Sequence, residues 1–456
     1  MQLNKIVSVT ALFIGVELCC PQIAVGQTEL FKLLPSDGAA GDHFAQIDID
    51  FDGVTIIVGA DEDDDYGVNS GSAYLFDPTT GQQLFKLVPN DGAADDQFGN
   101  DVGIDESIAV VGAEFDDDNG ADSGSVYVFD VSTGQQLHKL LPDDGAVGDR
   151  FGASVAVSGG IIIAGTVFDN DNGALSGSAY VFDATTGQQL FKLLPNDGAA
   201  GDRFGNRVAI DGLLAVVGAW QDDVVGTDSG SAYIFEVVTG QQLFKIMPSD
   251  GLQDDLFGHR VSISGDTVVV SATGNDDNGS GSGAAYVFDA TTGQQGHKLL
   301  PDDGDVGDQF GVSVDIDDRV VVIGAGWDDD NGDMSGSAYI FDAITGLQVR
   351  KIQPSDSVAG DHFGLTAAVS GGRAVIGSGF DDDNGADSGS AYVFEAAVCA
   401  TDINSDGVVD TSDLGILIGF FGQSNPALPQ ADINGDGVVD TADLGFLIGE
   451  FGTSCP

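Results

Sequence analysis

Near the end of the chain, two sets of oxygen-bearing residues stand at a spacing that suits one hard cation each. Asp402, Asn404, Asp406, Val408 (through its carbonyl), Asp410 and Asp413 occupy positions 1, 3, 5, 7, 9 and 12 of a loop, with Gly407 at position 6. Asp432, Asn434, Asp436, Val438, Asp440 and Asp443 repeat the set around Gly437. Ca²⁺ takes oxygens from carboxylates, amides and backbone carbonyls, and the glycine allows the sharp turn that converges them. Two full matches identify a pair of Ca²⁺ loops. After each loop, Leu414, Leu417, Ile418 and Phe421, then Leu444, Leu447, Ile448 and Phe451, fall at i, i+3, i+4 and i+7. That spacing predicts a short helix whose apolar stripe packs the two halves together.

A larger store of carboxylates lies upstream. Asp116, Asp118 and Asp122 surround an Asn-Gly turn, as do Asp328, Asp330 and Asp333, and Asp381, Asp383 and Asp387. Thinner versions stand at Asp169 and Asp171, and at Asp276 and Asp277. Two carboxylates ~4 Å apart repel by about 1 kcal/mol in water, and by more near a low-dielectric surface. Such clusters call for a counterion. Ca²⁺ bound in these loops and a solvated surface with diffuse ions both answer that need.

The elements that must position these groups follow from a repeat. Phe44, Phe98, Phe151, Phe204, Phe257, Phe310 and Phe363 recur every 53 or 54 residues, each opening an apolar run, an acidic loop and an aromatic strand. In one unit, strands are predicted from Phe98 to Ile104, Ile108 to Ala113, Ser125 to Asp130 and Leu137 to Leu141, joined by turn residues. Four antiparallel strands in each of seven units describe a seven-bladed β-propeller. The first outer-type strand, Glu29 to Leu34, precedes any blade, and the last unit stops at its third strand. The N-terminal strand therefore closes blade seven. The loops after strands two and four then share one face and hold 44 of the 63 acids in residues 27–398. Each outer strand carries a basic residue: Lys32, Lys86, Lys139, Lys192, Lys245, Lys298 and Arg350-Lys351. These are expected to guard the edge strands against aggregation.

The Phe-Gly pairs and the Val-Gly-Ala runs at 58–60, 111–113 and 217–219 resemble FG-GAP repeats, the units of integrin α-chain propellers and of many bacterial secreted proteins. Integrin-type repeats hold Ca²⁺ between their first two strands, where this chain has tight turns such as Asp211-Gly212. The duplicated C-terminal loop and helix resemble a type I dockerin, which implies Ca²⁺ binding and a cohesin-like partner. Thr411-Ser412 and Thr441-Ala442 fall where dockerins contact a cohesin, whereas Gly419-Phe420 and Gly449-Glu450 replace the usual later Lys or Arg.

The formal charge of −58, from 73 acidic and 15 basic residues, excludes nucleic acid and anionic membranes as partners. Residues 1–26 resemble a secretory signal peptide, with Ala24-Val25-Gly26 before the cleavage point. No further apolar span of ~18 residues follows. Cys399 and Cys455 remain, and in an oxidising compartment such a pair is expected to form a disulfide. The expected layout is a signal peptide at 1–26, a propeller at 27–398 and a small helical dockerin-like module at 399–456. His43, His259, His362, His138, His297, Trp220 and Trp327 break the repeat, but no local motif pairs a nucleophile with a base. The reading is a secreted or cell-surface Ca²⁺-binding adhesion or interaction scaffold and not an enzyme. A polysaccharide-degrading protein and a structural surface protein with a salt-adapted face are the alternatives.

Overall fold

The computed structural model describes residues 29–399, 401–404, 408–424, 428–435, 437–453 and 455. The expected signal peptide and the ligands Asp406 and Asp436 lie outside them. Among the described residues, seven four-stranded antiparallel sheets stand as blades around an axis. Blade two runs Phe98–Asp105, Ile108–Ala113, Ser125–Asp130 and Gln135–Leu140 from the axis outward. Blade seven takes its outer strand from the other end of the chain: Glu29–Leu33 pairs antiparallel with Ser390–Glu395, Glu29 opposite Phe394 and Leu33 opposite Ala391. The ring is closed as the offset of the repeat predicts.

The core lies between blades. Phe98 is fully buried and meets Tyr127 and Phe129 edge-on at 5.4 and 5.8 Å, against Ala73, Leu75 and Leu87 of blade one. The same aromatic trio recurs in every blade. Truncating such a Phe to Ala costs about 3–5 kcal/mol. The glycine of the Phe-Gly pair is required by close approach. Gly99 has φ +99°, and a Cβ on it would sit 2.3 Å from the Ser72 carbonyl oxygen. A Cβ on Gly59 would meet the Gly99 oxygen at 2.1 Å, so the two repeat glycines let neighbouring blades touch through backbone.

Side chains on the inner strands stitch blade to blade. Asp50 Oδ2 accepts from Ile104 N at 2.7 Å, Asp101 Oδ2 from Val155 N at 2.6 Å and Asp315 Oδ2 from Val369 N at 2.7 Å. Each partner lies 54 residues ahead, one blade on.

The C-terminal module has two helices, α1 (Thr411–Phe420) and α2 (Thr441–Gly449). Its halves exchange strand-like pairs: Gly422 and Gln423 with Val439, and Gly452 and Thr453 with Val409. The core holds Ile403, Val409, Leu417, Ile433, Val439 and Leu447. The predicted stripe is corrected here. Leu417 and Leu447 are buried, but Ile418, Phe421, Ile448 and Phe451 are 60%, 45%, 59% and 44% exposed. Two helices this short bury one line of contacts each, and the rest of the apolar surface faces outward. Cys399 and Cys455 form the expected disulfide. The module touches the propeller at blade six, where Arg319 Nη1 donates to the Ile433 carbonyl at 3.3 Å. Arg319 lies in the turn between strands one and two, on the face opposite the acidic loops.

Candidate functional site

The acidic loops hold an internal cation. Lys139 Nζ lies 2.9 Å from Asp116, 2.6 Å from Asp118 and 2.9 Å from Asp91 of the preceding inter-blade loop. It also sits 5.0 Å above the Tyr127 ring, whose hydroxyl donates to Asp116 at 2.9 Å. Lys351 repeats this with Asp328, Asp330 and Asp303, and Lys32 with Asp381, Asp383 and Asp356. Burial by itself would lower the Lys139 ammonium, but its hydrogen bonds to Asp116, Asp118 and Asp91 outweigh that and hold it above its ordinary value. Burial would likewise raise Asp116, and Lys139 draws it below the usual carboxylate range. The lysines expected to guard edges are therefore corrected to clamps that join loop to loop. Asp122, Asp333 and Asp387 stand apart from the clamps. Their backbone carbonyls accept from Arg150, Gly360 and His43 N–H groups of the next inter-blade loop.

The two C-terminal loops are built around their closing acids. Asp413 is fully buried; its Oδ1 accepts from Asn404 N at 3.1 Å and its Oδ2 from Asp410 N at 2.9 Å. Asp443 does the same with Asn434 N and Asp440 N at 3.1 and 2.7 Å. Asp410 and Asp440 cap α1 and α2 through Ser412 N and Ala442 N. Asp432 accepts from Gly437 N through Oδ2 at 2.7 Å, while its Oδ1 is shut off from solvent with no hydrogen-bond donor. A buried carboxylate oxygen without a donor is costly, and a cation ligated there would relieve the cost, so the residues fit Ca²⁺. Among the described residues, no three acidic side chains converge as a metal-binding cluster; both position-5 acids lie outside them.

Seven stretches match the FG-GAP repeat: 28–76, 82–129, 135–182, 188–235, 241–288, 294–341 and 347–394. The chain belongs to the FG-GAP repeat family. Each matched stretch takes in an outer strand and then three strands of the next blade, so the family frame carries the same offset that closes the ring. Residues 400–451 match the type I dockerin domain, a calcium-binding module. No curated protein matches the chain.

At the axis of the FG-GAP ring, the repeat is broken by residues that the local sequence motifs did not bring together. On the acidic-loop face, Trp220 meets His259 at 5.9 Å, Trp327 meets His362 at 5.5 Å, and Phe380 lies between His362 and His43 at 5.0 and 5.4 Å. Arg150 stacks on Phe115 and Phe168, and Arg203 on Phe168. Five of the seven singled-out residues thus fall into two groups: Trp220 with His259, which line one mouth, and Trp327, His362 and His43 around Phe380. His138 and His297 do not; on outer strands, their Nε2 atoms meet the carbonyls of Thr185 and Ile344.

Below the mouth stand Asp48, Asp101, Arg207 and Arg260, four residues missed from sequence. Each follows its repeat Phe by three or four positions, where Ser154, Ser313 and Thr366 stand in other blades. The seven strands that open on the repeat Phe show the break when laid in register. Arg207 Nη1 donates to Ala153 O at 3.3 Å and Arg260 Nε to Val312 O at 2.8 Å. Burial, with Arg207 beside it, lowers Arg260 to about 9. Burial also pushes Asp61 up to about 7 and His259 down to about 3, and it raises Glu114 against the pull of Arg150.

Proposed function

We propose that the chain is an extracellular attachment protein: its dockerin module, loaded with Ca²⁺, docks on a cohesin-like partner and holds out the FG-GAP ring as an interaction scaffold. The observation that carries this reading is the pair of buried closing acids, Asp413 and Asp443, each fixing both ends of its loop. Asp402, Asn404, Asp410 and Asp413, with the Val408 carbonyl, would supply one site, and Asp432, Asn434, Asp440 and Asp443, with the Val438 carbonyl, the other. Ca²⁺ would neutralise the acids and draw each loop onto its helix. The outward apolar residues Ile418, Phe446 and Ile448 lie beside Thr411-Ser412 and Thr441-Ala442 and offer a contact face. No membrane-spanning helix is found among the described residues, and a disulfide suits an extracellular setting.

The test is calorimetric titration of the secreted chain with Ca²⁺, with Asp413→Asn and Asp443→Asn compared. Two sites are expected in the parent and one in each variant, with cohesin capture lost in EDTA. Ca²⁺ uptake unchanged in both variants would overturn the assignment. Glycan hydrolysis is the second reading, favoured by Asp61 and Glu114, two carboxyl groups raised by burial and facing one mouth. Release of reducing ends, abolished in Asp61→Asn, would establish it.

A further inference from the structure

The axial mouth has the make-up of a ligand site. A cavity of about 390 Å³ opens there, within the size range of small-ligand pockets. Trp220 and Phe168 give it flat apolar walls, Asp61 and Glu114 carboxylates, and Arg203 and Arg207 guanidinium groups. Three polar atoms on this wall are shut off from solvent and have no hydrogen-bond partner: Asn206 Oδ1, Arg207 Nε and His259 Nδ1. Other orphaned atoms are spread around the ring, at Asp52 Oδ2, Ser72 Oγ, Thr166 Oγ1 and Tyr286 Oη among others, whereas three gather beside this one cavity. Arginine is also concentrated here. Of the chain's seven arginines, Arg203 and Arg207 line the mouth, Arg260 the channel beneath it, and Arg150 lies behind Glu114 and Phe168, while every described lysine is bound in a clamp.

We infer that this mouth binds the end of a neutral saccharide chain. The ligand must offer both donors and acceptors at close spacing, because carboxylates and guanidinium groups face it together. It must also present an apolar face to Trp220. A sugar ring does both, its hydroxyls pairing with Asp61, Glu114 and Arg207 and its C–H face lying on the indole. A polyanion would meet 44 acids around the rim, and a simple cation would leave the aromatic walls and the arginines without a role. The inference rests on the mouth alone and is independent of the attachment reading; binding here requires no cleavage.

Of the chain's two tryptophans, Trp220 lines this mouth and Trp327 does not, so the Trp220 part of the intrinsic fluorescence reads it. The full chain would be titrated with cellohexaose, xylohexaose and mannohexaose, with trigalacturonate and a Gly-Arg-Gly tripeptide as contrasts. Heat and an emission shift are expected with at least one neutral oligosaccharide. Affinity should fall at least tenfold in Trp220→Ala and His259→Ala and recover in part in Trp220→Phe. Equal circular dichroism and melting temperature in the variants would certify their fold. Binding by none of the neutral oligosaccharides would overturn the inference, as would preference for the uronate or the peptide. Retention of full affinity in both Trp220→Ala and His259→Ala would do the same.

Discussion

Lys139 Nζ and Asp116 Oδ2 lie 2.9 Å apart at a contact that joins an outer strand to the acidic loop of its own blade. With Asp91 and Asp118 on the same ammonium, the clamp also ties in the preceding inter-blade loop. Lys139→Met would leave three carboxylates facing one another. The expected cost is about 1–3 kcal/mol, because a partly buried charge loses its partner. The variant should recover part of its melting temperature as Ca²⁺ rises, while the propeller transition of the parent shifts little. Differential scanning calorimetry with and without Ca²⁺ makes the comparison. A parent transition as Ca²⁺-sensitive as the variant's would show that the loops bind the ion beside the lysine.

Blade five offers the converse experiment. Asn275 stands where other blades have the clamp's buried Asp, Lys298 keeps only Asp250 and Asp277, and the Tyr286 hydroxyl has no partner. Asn275→Asp should return a third carboxylate to Lys298 and an acceptor to Tyr286. A gain of about 0.5–1.5 kcal/mol is expected in denaturant unfolding. A loss would mean that desolvation of the new carboxylate outweighs its two partners.

Stability should fall as pH rises from about 4 to 7. Burial, first of all, raises Asp50 to about 7 and Asp315 and Asp96 to about 6, from an unfolded value of about 3.9. The folded ring then holds more protons than the unfolded chain in that window, so these groups favour folding below it and oppose folding above it. His259 and His362, both lowered by burial, act in the opposite sense but are outnumbered by the raised carboxyl groups. Asp50 faces Asp315 and Asp52, and the backbone N–H groups of Phe51 and Ile104. Asp50→Asn keeps an acceptor and removes the charge, so the drop in melting temperature between pH 5 and pH 8 should shrink. An unchanged drop would assign the pH dependence to other groups.

The blades, their number and the seam between the chain's ends were legible because each strand repeats its own signals at a fixed interval. So was the loop-helix pair at Asp402 and Asp432, whose ligands lie within twelve residues of one another. The clamps were not, although their parts recur as faithfully. Lys139 meets Asp116 and Asp91 from 23 and 48 positions away, and only the fold brings two loops and a strand end together. The axial mouth was hidden for a different reason. His259, Trp220 and Arg207 each look like a tolerated variant within its own unit, and their shared cavity exists only once seven units face one axis. The exposed Ile418 and Ile448 were misassigned because a helical stripe reports amphipathicity and not which part of the stripe finds a partner.

The seam between Glu29–Leu33 and Ser390–Glu395 also sets a timetable. A chain emerging from its N-terminus presents its first strand long before the strand that will receive it. Until then the N-terminal strand and the growing last blade both expose unpaired edges. Closure is thus a late and long-range event, slow by its contact order and open to misassembly while it waits. The same arrangement works in reverse once the ring is shut. Opening must begin by peeling a five-residue strand that Lys32 pins to Asp356, Asp381 and Asp383. The lifetime of the folded protein against proteases, more than its equilibrium stability, hangs on that one seam.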